Sequence, residues 1–288
     1  MTAHREFLCS SARLVLPFCL LVLIANALLG PGFAQEHPVR FVQVPRDVIE
    51  SRLRRVAQEN ADRENALKQI FTEAGCDGDH LREQPVKHQK LPNLICTLPG
   101  TSDSVMIVAA HFDHVEKGDG VVYDWSGAAL LPSLFQSLRA EPRKHSIVFI
   151  GFTAEEQGLI GSDFYVKQLT PDQTAKIPAM IDLDSLGLGP TNIWLNHSDE
   201  KLANTLNGVA ASLKLPLAVV NAEQIGDDDS TSFRKRHVPT IMLHSVTQPT
   251  VAILHSDRDN LSAISVDDYY DSYHLLAAYL AYLDAKLN

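Results

Sequence analysis

Apolar and polar positions along this chain switch between two periods. Val105-Met106-Ile107-Val108-Ala109-Ala110 and Ser146-Ile147-Val148-Phe149-Ile150-Gly151-Phe152 are continuous apolar runs of strand length, which read as buried strands. Residues 92–98, 180–183 and 239–243 predict three more strands, the first closed by the turn pair Pro99-Gly100. Between them the apolar spacing becomes helical. Residues 46–74 carry stripes from Val48, Ile49, Leu53, Val56, Leu67, Ile70 and Phe71, with a polar break expected at 59–63. Further helices are expected over 128–138, through Phe164 and Leu169, and over 202–213. Asp267-Asp268 then opens a long amphipathic helix that runs to Leu287. Strands alternating with helices predict an α/β fold with a mostly parallel, mixed central sheet sandwiched by helices. Sites in such folds gather at the C-terminal ends of the strands.

The N-terminus departs from that pattern. Arg5 and Arg13 precede an apolar stretch over 14–29, and Gly32-Phe33-Ala34 offers small residues where a signal peptidase cuts. This predicts a signal peptide over residues 1–34 and one catalytic domain over 35–288, exported to the periplasm or outside the cell. The alternative is an uncleaved membrane anchor; after cleavage no membrane span is expected. Cys9 and Cys19 leave with the signal, so Cys76 and Cys96 remain as a disulfide in an oxidising compartment or as two buried thiols. A formal charge of −10 argues against a nucleic-acid partner, which demands a basic face. No Gly-x-Ser-x-Gly elbow is present, which disfavours a serine hydrolase.

Candidate chemistry sits where the strands end. His111-Phe112-Asp113 closes the first buried run with an imidazole and a carboxylate that could orient it. Thr153-Ala154-Glu155-Glu156 follows the second; two adjacent carboxylates repel unless cations or protons intervene, although the first turn of a helix also favours acidic residues. Ile181-Asp182-Leu183-Asp184 ends a third strand, and Leu254-His255-Ser256-Asp257-Arg258-Asp259 offers a late loop histidine. His244, in a second Leu-His-Ser triplet, rivals His255 but more simply ends a core strand. His114 adjoins the candidate site, while His88, His145, His197, His237 and His274 read as surface or structural.

In this order the motifs resemble the secreted dizinc aminopeptidases of clan MH, which also holds plasma-type carboxypeptidases and glutaminyl cyclases. The resemblance runs from Pro92 to the C-terminus and implies a zinc exopeptidase fold acting on peptides with a free N-terminus. It implies His111 and Asp184 on one zinc, Glu156 and His255 on the other, and Asp113 behind His111. Glu155 would be the general base, moving a proton from a metal-bridging water to the leaving amine, with the two ions about 3.5–4 Å apart.

The family's bridging carboxylate lies four residues before a Gly, and here Tyr123 stands four before Gly127. Tyrosine is a poor bridge because it keeps its proton near neutral pH. A shifted loop would make Asp124 the bridge, with Asp119 remoter; failing that, one zinc or impaired catalysis is expected. Asp228-Asp229-Ser230-Thr231-Ser232-Phe233 loosely matches a family Ser-Asp-His-x-x-Phe segment, with Ser230 in place of the His. Tyr123 and Trp125 would line the cleft or pack in the core. The other readings are a single-zinc glutaminyl cyclase-like acyltransferase and a non-catalytic member of the fold. Oligomeric state is not legible.

Overall fold

Among the described residues, eight strands build one mixed sheet. They are β1 (Leu81–Gln84), β2 (Asn93–Leu98), β3 (Val105–His111), β4 (Ser146–Phe152), β5 (Ala179–Leu183), β6 (Asn192–Ile193), β7 (Ala218–Val219) and β8 (Thr240–His244). The structure, a computed structural model, describes residues 40–115, 117–221 and 226–287, and at Asp124 the backbone without the side chain. The expected signal peptide lies outside the described residues. Strand order is β1-β2-β4-β3-β5-β8-β6-β7. The inner strands β4, β3, β5 and β8 run parallel. Antiparallel pairings flank them, β1 with β2, β2 with β4, and β6 with β8.

The continuous apolar runs follow from burial on both faces. On β3, Met106, Val108 and Ala110 join one core, and Ile107 and Ala109 join the other. The larger core is roofed by α1 (Arg46–Leu53), α2 (Asn60–Glu73), α3 (Ser126–Leu138), α6 (Glu200–Leu213) and α8 (Val266–Lys286), through residues such as Ile49, Leu67, Leu130, Leu206 and Leu276. The opposite face is closed by α4 (Ile160–Gln168) and α7 (Ser230–Arg234), through Tyr165, Val166 and Phe233. A short α5 (Pro171–Ala175) starts on a capping box between Thr170 and Gln173. Cys76, just past α2, is disulfide-bonded to Cys96 on β2. No helix among the described residues is long and apolar enough to cross a membrane.

The structure departs from expectation in three places. The break in the first helical segment lies between Leu53 and Asn60, not at 59–63. The polar residues there open α2, and Arg63 is fully buried, donating to the main-chain oxygens of Ala57, Asp119 and Gly120. α3 is preceded by a wide helical turn over Val121–Trp125. Glu155 and Glu156 do not form the first turn of a helix: they lie in a turn, and α4 begins at Ile160.

Candidate metal centre

Parallel strands deliver the sequence candidates to one edge of the sheet. His111 is the last residue of β3, Glu155 and Glu156 follow β4, and Asp184 lies one residue past β5. Asp182 and Asp184, two apart, share a face, so the edge carries more buried carboxylates than the motif alone suggests. α3 packs close to β5 because Gly127 has no side chain: a Cβ there would sit 2.2 Å from the Leu183 carbonyl oxygen. Ala154, Ser185 and His255 all hold left-handed backbone angles (φ 55°, 50° and 52°). For residues with a Cβ this costs roughly 1–2 kcal/mol each, and such strain concentrates at functional sites.

Asp113 shapes the turn that carries the glutamates. Its two carboxylate oxygens accept the backbone N–H groups of Glu155 (3.0 Å) and Glu156 (3.3 Å). The His111 ring is held mainly by a different atom than expected: Nδ1 lies 3.1 Å from the Asp113 main-chain oxygen and 3.8 Å from its carboxylate. A carbonyl oxygen can only accept, so Nδ1 carries the proton and Nε2 keeps its lone pair. Nε2 is buried and has no hydrogen-bond partner. Opposite, His255 Nε2 lies 3.0 Å from Glu156 Oε1, and Ser185 Oγ donates to Asp184 at 2.7 Å.

Between the two histidines stands Tyr123, 5 % exposed. Its ring meets His111 edge-on at 5.2 Å between centroids and His255 at 4.6 Å. The side chain of Asp124 lies outside the described residues. Trp125 is core, with the Arg63 guanidinium over its ring. Asp119 holds Gln58 and serves the adjoining loop rather than the strand ends. His244 ends β8 as expected, and both its nitrogens are engaged, Nε2 with the Val220 oxygen and Nδ1 with the Val246 N–H. That leaves His255 as the histidine in contact with the glutamates. His114 is tied through its backbone N–H to Asn60, and His197 stacks on Trp194 while pairing with Asp228.

Electrostatics mark the edge as short of positive charge. Burial pushes Asp184 up to about 8 and Asp113 up to about 7, the latter despite its two N–H donors. Glu155 rises much further through burial and the nearby charges of Asp229, Asp184, Glu156 and Asp113. Asp182 and Asp229 are raised for the same reasons. His111 is pushed down to about 4 by burial, whereas its hydrogen bond to Glu156 raises His255. A divalent cation would favour the ionised carboxylates, and unpaired imidazole nitrogen with carboxylate oxygen is a donor set suited to zinc. The residues therefore fit such an ion. Among the described residues, which leave out the Asp124 side chain, no three His, Cys, Asp or Glu side chains converge to enclose a metal.

Two features escaped the sequence. Asp259 joins the loops of His255 and Tyr123, its carboxylate accepting Val122 N–H (2.6 Å) and Tyr123 N–H (3.2 Å) while its main-chain oxygen accepts from Asp119. Asp259 stands four residues after His255, and that spacing was the available signal. Arg63 had none, since nothing in a polar helix start predicts a buried guanidinium.

Known proteins arrange themselves around this geometry. Leupeptin-inactivating enzyme 1 of Streptomyces exfoliatus is 32% identical over 151 residues, covering 51% of this chain and 34% of that protein. The chain thus spans about a third of the length of the curated relatives it matches first. The Legionella pneumophila LapA aminopeptidase superposes with a TM-score of 0.73 at 19% identity, over 85% of this chain and 73% of that one. A glutaminyl cyclase from an Acidobacteriales bacterium gives a TM-score of 0.68 at 19% identity, over 88% of this chain and 99% of the other. At these identities the structural matches concern the fold. The model of peptidase family M28 matches residues 93–280, the span from β2 into α8 that supplies each of these strand-end groups, and the chain belongs to that family.

Proposed function

We propose that this chain is an exported, zinc-dependent exopeptidase that hydrolyses the N-terminal residue from peptides. The observation that carries the reading is the meeting of His111, Glu155, Glu156, Asp184 and His255, from four separate segments, at one strand edge. The residues that would hold zinc are drawn from His111, Glu156, Asp184 and His255, with Asp124 the carboxylate that would join two ions. When bound, zinc supplies Lewis acidity that polarises the scissile carbonyl.

The chain's own groups do the rest. Glu155, held by Asp113 at the mouth of β4, takes a proton from the attacking water at a carboxylate oxygen and returns it to the leaving amine. Its buried, acid-crowded setting keeps it protonated until a cation offsets the neighbouring charges. That ties general-base competence to metal loading. The surplus of carboxylates would also hold the free ammonium of a peptide N-terminus, which selects exopeptidase over endopeptidase action. Tyr123 between the histidines favours one second reading, a single-zinc cyclase-like or non-catalytic member.

Glu155→Gln tests the assignment. Turnover of aminoacyl amides should fall by at least about 10²-fold, in the range of general-base losses, with zinc content unchanged. Retained turnover would refute Glu155 as the base.

A further inference from the structure

Beside the glutamate turn lies a cavity of about 720 Å³, within the usual size of a small-ligand site. It shares Asp113, Thr153 and Gln157 with that turn. Its outer walls are the start of α2 at 58–61 and the loop before β2 at 88–91. Both segments precede residue 93, where the match to the family begins, so these walls come from outside the matched span.

We infer that this cavity receives the residue on the leaving side of the scissile bond and favours an amide or hydroxyl side chain there. The inference rests on the exopeptidase reading above and deepens it. Strand order sets the direction, because β2, β4, β3 and β5 are successive neighbours. The surplus carboxylates lie toward the β5 end, Asp182 and Asp184 at that strand and Asp228 and Asp229 at the start of α7. The cavity lies toward the β2 end and under α2, which covers the face of the sheet opposite α7. A peptide whose free ammonium is held by the surplus carboxylates therefore runs its leaving side past Glu155 into the cavity. Gln58, Gln89 and Gln157 line it with amides that both donate and accept, and its aliphatic share is Ala61 and Leu91. Glu59 and Lys90 add opposite charges, so net charge selects neither an acidic nor a basic side chain. An apolar side chain would strip water from the amides without replacing its hydrogen bonds, whereas an amide or hydroxyl replaces them.

The walls are fixed by hydrogen bonds. Asn60 clamps the residue after Asp113, its Oδ1 accepting the His114 N–H (2.9 Å) and its Nδ2 donating to the His114 carbonyl (3.3 Å). Gln58 Nε2 donates to Asp119 at 2.8 Å, which ties the same wall to the loop after β3. Across the cavity, the turn that presents Gln89 is closed by its N–H on the Val86 oxygen at 3.0 Å. Within that turn His88 holds a left-handed backbone (φ 65°), a strained conformation of the kind that concentrates at functional sites.

The test is kcat/KM of zinc-loaded protein on dipeptide amides with a free N-terminal leucine and glutamine, serine, leucine or phenylalanine in second position, with circular dichroism as the folding control. Leucinamide, which has no leaving-side residue, reports the reaction without the cavity. Wild type should favour glutamine and serine over leucine and phenylalanine by about 10-fold, the worth of one net hydrogen bond. Gln89→Leu should narrow that ratio to under about 3-fold by removing one amide partner. No polar preference at the second position, a ratio that folded Gln89→Leu keeps, or a preference that Gln89→Leu alters only when the first residue is varied would each overturn the subsite. Hydrolysis of leucinamide in those cases would leave the exopeptidase reading intact. Folded, zinc-loaded wild type that cleaves neither leucinamide nor any dipeptide amide would overturn both.

Discussion

Asp259→Ala removes the carboxylate that ties the His255 loop to the Tyr123 turn. At 1 % exposure, Asp259 accepts two backbone N–H groups, from Val122 and Tyr123, which would be left without it inside the protein. Each stranded buried donor costs about 1–3 kcal/mol, or about 2–6 kcal/mol for the two. A second effect works the other way: burial raises the pKa of Asp259 in spite of these bonds, so removing the carboxylate also removes its desolvation cost. The lower half of the range, about 2–4 kcal/mol, is therefore expected, a large share of a typical 5–15 kcal/mol. Urea denaturation followed by tyrosine and tryptophan fluorescence measures it. With a slope of about 2–3 kcal/mol per molar urea, the midpoint should fall by about 1 M. Asp259→Asn keeps one carbonyl oxygen and should lose about half as much. An unchanged midpoint in Asp259→Ala would refute the strut.

Two further outcomes concern charge and covalent bracing. In the metal-free protein, Asp184 with a pKa raised to about 8 is protonated when folded and ionised when unfolded across pH 6.5–8. His111, lowered from 6.5 to about 4 by burial, is neutral when folded but partly protonated when unfolded at the low end of that window. This opposes the Asp184 effect but is smaller, so the folded chain still binds more protons and stability should fall as pH rises. Denaturation of stripped protein at pH 6.5 and 8 checks this, and a rise in stability with pH would contradict it. The Cys76–Cys96 bond closes a loop at a sequence separation of 20 and ties the end of α2 to β2. The paired change Cys76→Ser with Cys96→Ser should cost about 3 kcal/mol by loop entropy, read from the urea midpoint; a loss under about 0.5 kcal/mol would show that the strand pairing alone suffices.

The sequence was most legible where burial is two-sided. The runs of β3 and β4 announce themselves because every residue is apolar, and the polar residue that ends each run is then conspicuous. That is why His111, Glu155, Glu156 and Asp184 could be named before any geometry. The flanks were opaque for the opposite reason. β1 reads Leu-Arg-Glu-Gln and its residues are at least partly exposed, while β6 and β7 have two residues each, too short for any period to show. Arg63 misled in a different way: its charge marked a break, but its hydrogen bonds to three carbonyls let it be buried inside α2. The departure at Tyr123 was visible as a spacing. Its consequence was not, because the ring contacts across residues 111, 123 and 255 depend on loops that Asp259 ties together.

The most direct test of the central claim is turnover of a panel of aminoacyl chromogenic amides by mature protein that has been stripped and then reloaded with zinc. Hydrolysis of free-amine substrates that disappears with chelator, returns with zinc and is absent for N-acetylated analogues is the predicted result. Zinc-loaded, folded protein that hydrolyses none of the panel would contradict the claim.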